Sequence, residues 1–179
     1  WEWEGEWEWE GEWEWEWEGE WEWEGEWEWE GEWEWEWEWE GEWVLVGNTV
    51  TCDNATPGDT ITIDEKEYKV VNNSMLQGMD PKTDDYTAVC TSQVTNMANL
   101  FVWANFNQDI GNWDVSNVTN MRNTFLESSF NQDIGEWDVS NVTNMNRMFA
   151  WADDFNQDIG DWDVSNVTNM ETMFAWSEN

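Results

Sequence analysis

From Phe106 to its last residue the chain repeats itself three times, as "FNQDIGNWDVSNVTNMRNTFLESS" over 106–129, "FNQDIGEWDVSNVTNMNRMFAWADD" over 130–154 and "FNQDIGDWDVSNVTNMETMFAWSEN" over 155–179. A partial copy, "SQVTNMANLFVWAN", occupies 92–105. A unit of about 25 residues is too small to bury its own apolar face, so a fixed period in the twenties makes each unit depend on its neighbours for a core. Within the middle copy Trp137 and Val139 alternate with Asp138 and Ser140, a short strand pattern. Val142, Met145, Met148, Phe149 and Ala152 then fall at offsets 0, 3, 6, 7 and 10, which predicts one face of a helix. Ser140, Asn141 and Thr143 are its N-cap candidates. Each repeat is therefore expected to be one coil of a right-handed α/β solenoid, a strand and a helix joined by the polar return "FNQDIG". Gly111, Gly135 and Gly160 are expected to relax the backbone where the return meets the strand.

Ahead of the repeats, "TVTC", "TITID" and "YKVVN" alternate around the turn-forming "NATPGD", so residues 44–90 read as a small β cap over the first coil. Cys52 and Cys90 bracket this segment, and the chain has no histidine to complete a metal site with them. A bridge between them, closing a loop of about 38 residues, would stabilise by roughly 4 kcal/mol and fits an oxidising compartment. Two buried free thiols are the alternative.

Residues 1–43 are of another kind. Every even position is Glu and every odd one Trp or Gly. The alternation suits a strand, yet same-face carboxylates roughly 7 Å apart repel within the Debye length of about 8 Å. Codons for Trp, Glu and Gly can write the whole tract as the DNA repeat TGGGAG with single-base changes. A disordered low-complexity tract or translated simple-sequence DNA is the expectation, and an aromatic-acidic adhesive tract is the alternative.

The tract distorts the global composition, since it holds 21 of the 42 acidic residues and 16 of the 22 tryptophans. The other 136 residues keep 21 acidic and 5 basic side chains, a net charge of −16. That argues against nucleic-acid binding through basic neutralisation of phosphates and against attachment to anionic lipid through a basic patch. No apolar run is long enough to span a bilayer as a helix. The sequence is expected to be a fragment at both ends, so a leader or an anchor could lie outside it.

"FNQDIGxWDVSNVTNM" followed by "MF" closely resembles the repeat of the BspA-like leucine-rich-repeat surface proteins, a repeat found also in a mycoplasma lipoprotein domain of uncharacterised function. The resemblance runs over residues 48–179 and has no counterpart for the Trp-Glu tract. It implies a leucine-rich-repeat-like solenoid, a secreted or surface-displayed protein, often an adhesive role, and no catalytic activity. Two local departures stand out: Trp151 and Trp176 occupy positions where such repeats often carry Gly, and Thr124 replaces a core Met.

The residues themselves point away from catalysis. Without histidine or a thiolate partner no Ser-His or Cys-His nucleophile can be assembled, and the aspartates recur in equivalent surroundings rather than in the contrasting pairs acid-base chemistry uses. Trp113, Trp137 and Trp162 share the Val phase and are expected in the core, with a sugar-stacking stripe as the alternative. Trp103, Trp151 and Trp176, at the expected helix ends, are contact candidates. Asp109, Asp133 and Asp158 form one row, Asp114, Asp138 and Asp163 a second, and Asn107, Asn131 and Asn156 a third. Turn capping explains such rows, and calcium held at Asp109, Asp133 and Asp158 is the functional alternative. "NVT" at Asn117, Asn141 and Asn166 matches a glycosylation sequon and is expected to be structural. Asn112, Glu136 and Asp161 differ between otherwise uniform copies, so with the Asp114, Asp138 and Asp163 row they are the candidate binding face. A protein or glycan ligand, cationic or bridged by a divalent ion, is the expected partner. A structural spacer, or a fragment of a surface enzyme whose catalytic domain lies elsewhere, are the competing functions.

Overall fold

The computed structural model describes residues 45–46 and 49–177; the expectation for residues 1–43 lies outside the described residues. Strands β1 (Leu45–Val46) and β2 (Thr49–Val50) pair antiparallel. A three-stranded mixed sheet follows, in the order β3-β4-β5. Strands β3 (Thr60–Ile63) and β4 (Lys66–Asn72) form a hairpin in which Ile63 pairs Lys66. Its two-residue turn places Asp64 and Glu65 at φ 48° and 65°, as a turn that matches strand twist requires. Strand β5 (Val89–Gln93) runs parallel to β4. Between them lie helix α1 (Asn73–Gln77), capped by the Asn72 side chain accepting from the Met75 N–H, and a 3-10 turn at Tyr86–Ala88.

The sheet separates two cores. On one face Val50, Ile61, Ile63, Tyr68 and Val70 surround Cys52 and Cys90, which are joined as a disulfide. Val71, next along β4, belongs with Leu76, Tyr86 and Val89 to the second core, which continues through the repeats to Met173.

The expected solenoid of leucine-rich-repeat-type strand-helix coils does not form. Among the described residues the only helical segments are α1 and the 3-10 turn, both ahead of the repeats, and beyond β5 the strand-like pairing is confined to isolated parallel bridges. The reason lies in the backbone. Asn99, Trp103, Asn123, Glu127, Arg147, Trp151, Thr172 and Trp176 all have φ between 52° and 62°. A left-handed residue at every fourth position ends each incipient helix. The segment becomes a run of tight turns instead, closed by Leu100 N–H to Met97 O, Ala104 to Phe101, Thr124 to Met121, Ser128 to Phe125, Met148 to Met145 and Ala152 to Phe149. In each of these the left-handed residue is third, as a type II turn requires.

The turns stack on their neighbours through the main chain. The N–H groups of Met97, Asn99, Phe101 and Trp103 donate to the carbonyls of Asn120, Arg122, Thr124 and Leu126; Met121, Asn123, Phe125 and Glu127 reach Asn144, Asn146, Met148 and Ala150 in the same way. Met145, Arg147, Phe149 and Trp151 reach Asn169, Glu171, Met173 and Ala175. Aromatic columns fill the interior. Phe101, Phe125, Phe149 and Phe174 stack at 5.5, 5.4 and 5.5 Å, and the column Phe106, Phe130, Phe155 lies beside them. Tyr86 closes the near end, its ring edge-on to Phe101 and Phe106 and its carbonyl accepting the Trp113 indole N–H. At the far end Met170, Phe174 and Trp176 are exposed.

Candidate functional site

The aspartate rows are built into the turns. Asp109, Asp133 and Asp158 each accept, through Oδ1, the N–H of the glycine two residues on, at 3.1, 3.0 and 2.9 Å. Asp114, Asp138 and Asp163 do the same for Ser116, Ser140 and Ser165. The Ser165 N–H and hydroxyl hold the Asp163 carboxyl below its ordinary pKa, the backbone bond contributing most. These are turn-capping bonds of the kind short polar side chains make. Among the described residues no group of three or more His, Cys, Asp or Glu side chains converges on a metal position. The Asp109, Asp133 and Asp158 row thus has the geometry of turn capping.

The glycines following that row have a different role from the one expected. None of the three has positive φ. A Cβ on Gly111 would lie 2.7 Å from the Asp133 carbonyl oxygen, and one on Gly135 would lie 2.9 Å from that of Asp158. Glycine is required here by the close approach of the next coil, not by backbone freedom.

The face carrying the variable positions is only partly open. Asn112 is half-buried and its carbonyl accepts the Val50 N–H from β2, while Asp114 is buried, with the adjacent Thr91 hydroxyl bonding its carbonyl. The first coil's share of the candidate face is thus covered by the sheet region. Glu136, Asp138, Asp161 and Asp163 are exposed. Glu136 and Asp161 line a cleft of about 180 Å³ with Asp133, Asp158, Gly135 and Gly160, so four carboxylates from two successive coils meet at one opening. The repeat pattern assigns Asp133 and Asp158 to a separate row; the tight turn at "DIG" returns them to the same cleft.

A second cleft, of about 230 Å³, was not foreseen. It is lined by the apolar Val71, Met75, Met79, Ala88 and Val89 together with Lys69, Asp84 and Asp85. Its residues come from β4, α1, the loop that follows α1, the 3-10 turn and the start of β5, segments with no period to bring them together on paper.

The tryptophans divide by column. Trp113, Trp137 and Trp162 are buried, with Trp113 and Trp137 stacked 5° from parallel, and each indole N–H donates to a carbonyl one coil back, of Tyr86, Ile110 and Ile134. They are core residues and offer no stripe for sugars. Trp103, Trp151 and Trp176 are 74%, 47% and 57% exposed. The sequon asparagines are occupied, since the amide groups of Asn117, Asn141 and Asn166 donate to the carbonyls of Ser92, Ser116 and Ser140, each at 2.8 Å. Thr124, in place of Met, is buried with its hydroxyl bonded to the carbonyls of Met97 and Met121.

A family model described as "Mycoplasma protein of unknown function, DUF285" matches residues 71–179, from the end of β4 through the last repeat. The chain belongs to this family. The match covers the whole run of stacked turns and begins at Val71, the first β4 residue of the core that continues into them. No curated protein and no solved structure matches the chain. Among the described residues no helix is long and apolar enough to cross a membrane.

Proposed function

We propose that this DUF285 member is a non-enzymatic interaction module, displayed on a cell surface or secreted, whose acidic repeat face holds a cationic or divalent-bridged partner in adhesion. The cleft of Asp133, Glu136, Asp158 and Asp161 carries this reading: uniform residues build the coil, while Glu136 and Asp161 vary between copies and face outward at a concentration of like charge. Such a surface attracts positive charge and is screened by salt. The likeness of the repeat to BspA-like surface proteins supports display outside the cell, and so does the disulfide, which persists in oxidising compartments.

Replacing Glu136 and Asp161 together by Lys is expected to weaken attachment of cells or protein-coated beads and to leave the unfolding midpoint within about a degree, since exposed substitutions rarely cost more than about 0.5 kcal/mol. Attachment that persists in that variant, in chelator and in high salt would favour a structural spacer. The continuous main-chain bonding from coil to coil suits that second reading, because it makes a stiff element.

A further inference from the structure

Four residues occupy one column of the stacked turns. Trp103, Glu127, Trp151 and Trp176 are the third residues of the corresponding turns, and the N–H of each of the first three donates to the carbonyl preceding the next: Trp103 to Leu126, Glu127 to Ala150, Trp151 to Ala175. All four backbones are left-handed, at φ 59°, 52°, 57° and 61°. Tryptophan is poorly suited to that conformation, which glycine adopts without strain. Trp103 and Trp176 stand largely in solvent and Trp151 about half so, so burial offsets little of the strain at Trp103.

Where two tryptophans are adjacent in the column they stack face to face, Trp151 on Trp176 with centroids 4.8 Å apart and planes 18° from parallel. The main chains of Trp103 and Glu127 hold the same register as those of Trp151 and Trp176. Glu127 holds the column position between Trp103 and Trp151, where the other members carry an indole. Two coil steps separate those indoles, roughly 9.6 Å at about 4.8 Å per step, which is room for one planar group with an indole on either side. Among the described residues the Glu127 carboxylate has no ion pair or hydrogen bond, and it is exposed.

We propose that Trp103, Glu127 and Trp151 form a slot for a guanidinium group, the arginine side chain of a partner polypeptide. The chemistry selects it. A guanidinium is planar, so it can occupy the missing ring plane; it forks onto a carboxylate through two parallel N–H bonds; and its faces are attracted to indole rings on both sides. An ammonium lacks the plane and the fork, and a neutral sugar does not need the charge. The slot uses none of the residues of the acidic cleft, so it stands or falls separately from that reading.

The test is titration of the full chain with N-acetyl-arginine amide, read by the indole N–H resonances of Trp103 and Trp151, assigned by Trp103→Phe and Trp151→Phe. Both signals are expected to move together, with a dissociation constant on the order of millimolar, and to move less with N-acetyl-lysine amide. Glu127→Gln should weaken the arginine probe by roughly tenfold, since it removes the charge-assisted fork. Glu127→Trp restores a ring plane that the column accepts at three other positions, and should remove arginine binding while keeping the aromatic surface. Trp151→Gly, which relieves the backbone, should also remove it in a folded chain. Indoles that do not respond to arginine overturn the proposal. So does a response to arginine that Glu127→Gln leaves unchanged, or a stronger response to a neutral hexose than to arginine, which would make the column a glycan platform.

Discussion

Tyr86 shows how a single residue ties the sheet region to the repeats. Its ring is fully buried against Phe101 and Phe106, and its carbonyl stands where a preceding coil would offer one to the Trp113 indole. Its hydroxyl, however, is buried with no hydrogen-bond partner. Burial, helped by Asp84 and Asp80, pushes its pKa up to about 12. The folded state therefore favours the neutral phenol: the contribution to stability is complete below the ordinary tyrosine value of about 10 and is lost as pH rises from there through about 12. Tyr86→Phe keeps the ring and removes an unpaired polar group whose burial costs about 1–3 kcal/mol. We expect that variant to be at least as stable as the parent at neutral pH and to lose less stability between pH 10 and 12, checked by denaturant unfolding across that range. A variant clearly less stable at pH 7 would mean that the hydroxyl has a partner in solution.

At the scale of the turn and the coil, the glycine at the end of "DIG" decides how closely coils approach. Gly135→Ala would set a methyl group against the Asp158 carbonyl oxygen of the next coil, whereas the nearest atom to a Cβ on Gly160 is the Asp158 side-chain Oδ1, at 3.2 Å. Overpacking against backbone costs typically about 1–3 kcal/mol. Gly135→Ala should therefore lower stability by that amount and Gly160→Ala by clearly less, measured by thermal unfolding of the two variants. Similar losses would point to the "DIG" turn itself rather than to coil spacing. The same scale shows why the repeat was legible and its backbone was not. Val142, Met145, Met148, Phe149 and Ala152 are all buried, as their spacing requires, but consecutive turns advance by four residues and a helix by 3.6, and over ten residues the two patterns coincide. The clue was the left-handed position. Asn at 99 and 123 tolerates it. Glu136 and Asp161 were legible as candidates because they vary; the covering of Asn112 and Asp114 by β2 and β5 was not, since nothing periodic relates those strands to the first coil.

Across the whole molecule the two cores should respond independently to damage. The core around Cys52 and Cys90 lies on one face of the sheet, and its bridge closes a loop of 38 residues, a constraint worth roughly 4 kcal/mol in the chain-entropy account. The repeat core has no crosslink and relies on neighbour packing. Phe149 is central to it, stacked on Phe125, Phe155 and Phe174. Phe149→Ala empties that position at a cost of about 3–5 kcal/mol. In a stack whose units contact mainly their neighbours the loss spreads locally. The amides of Met121, Asn123 and Phe125, which donate to the Phe149 coil, should exchange with solvent faster. The β3 and β4 amides paired across the hairpin should keep their protection, because their own core and its disulfide are untouched. Native-state hydrogen exchange on the variant reads both regions in one experiment. Equal loss of protection in the hairpin would show a single cooperative unit, with Val71, Leu76 and Tyr86 transmitting the damage through the face of the sheet they share with the repeats.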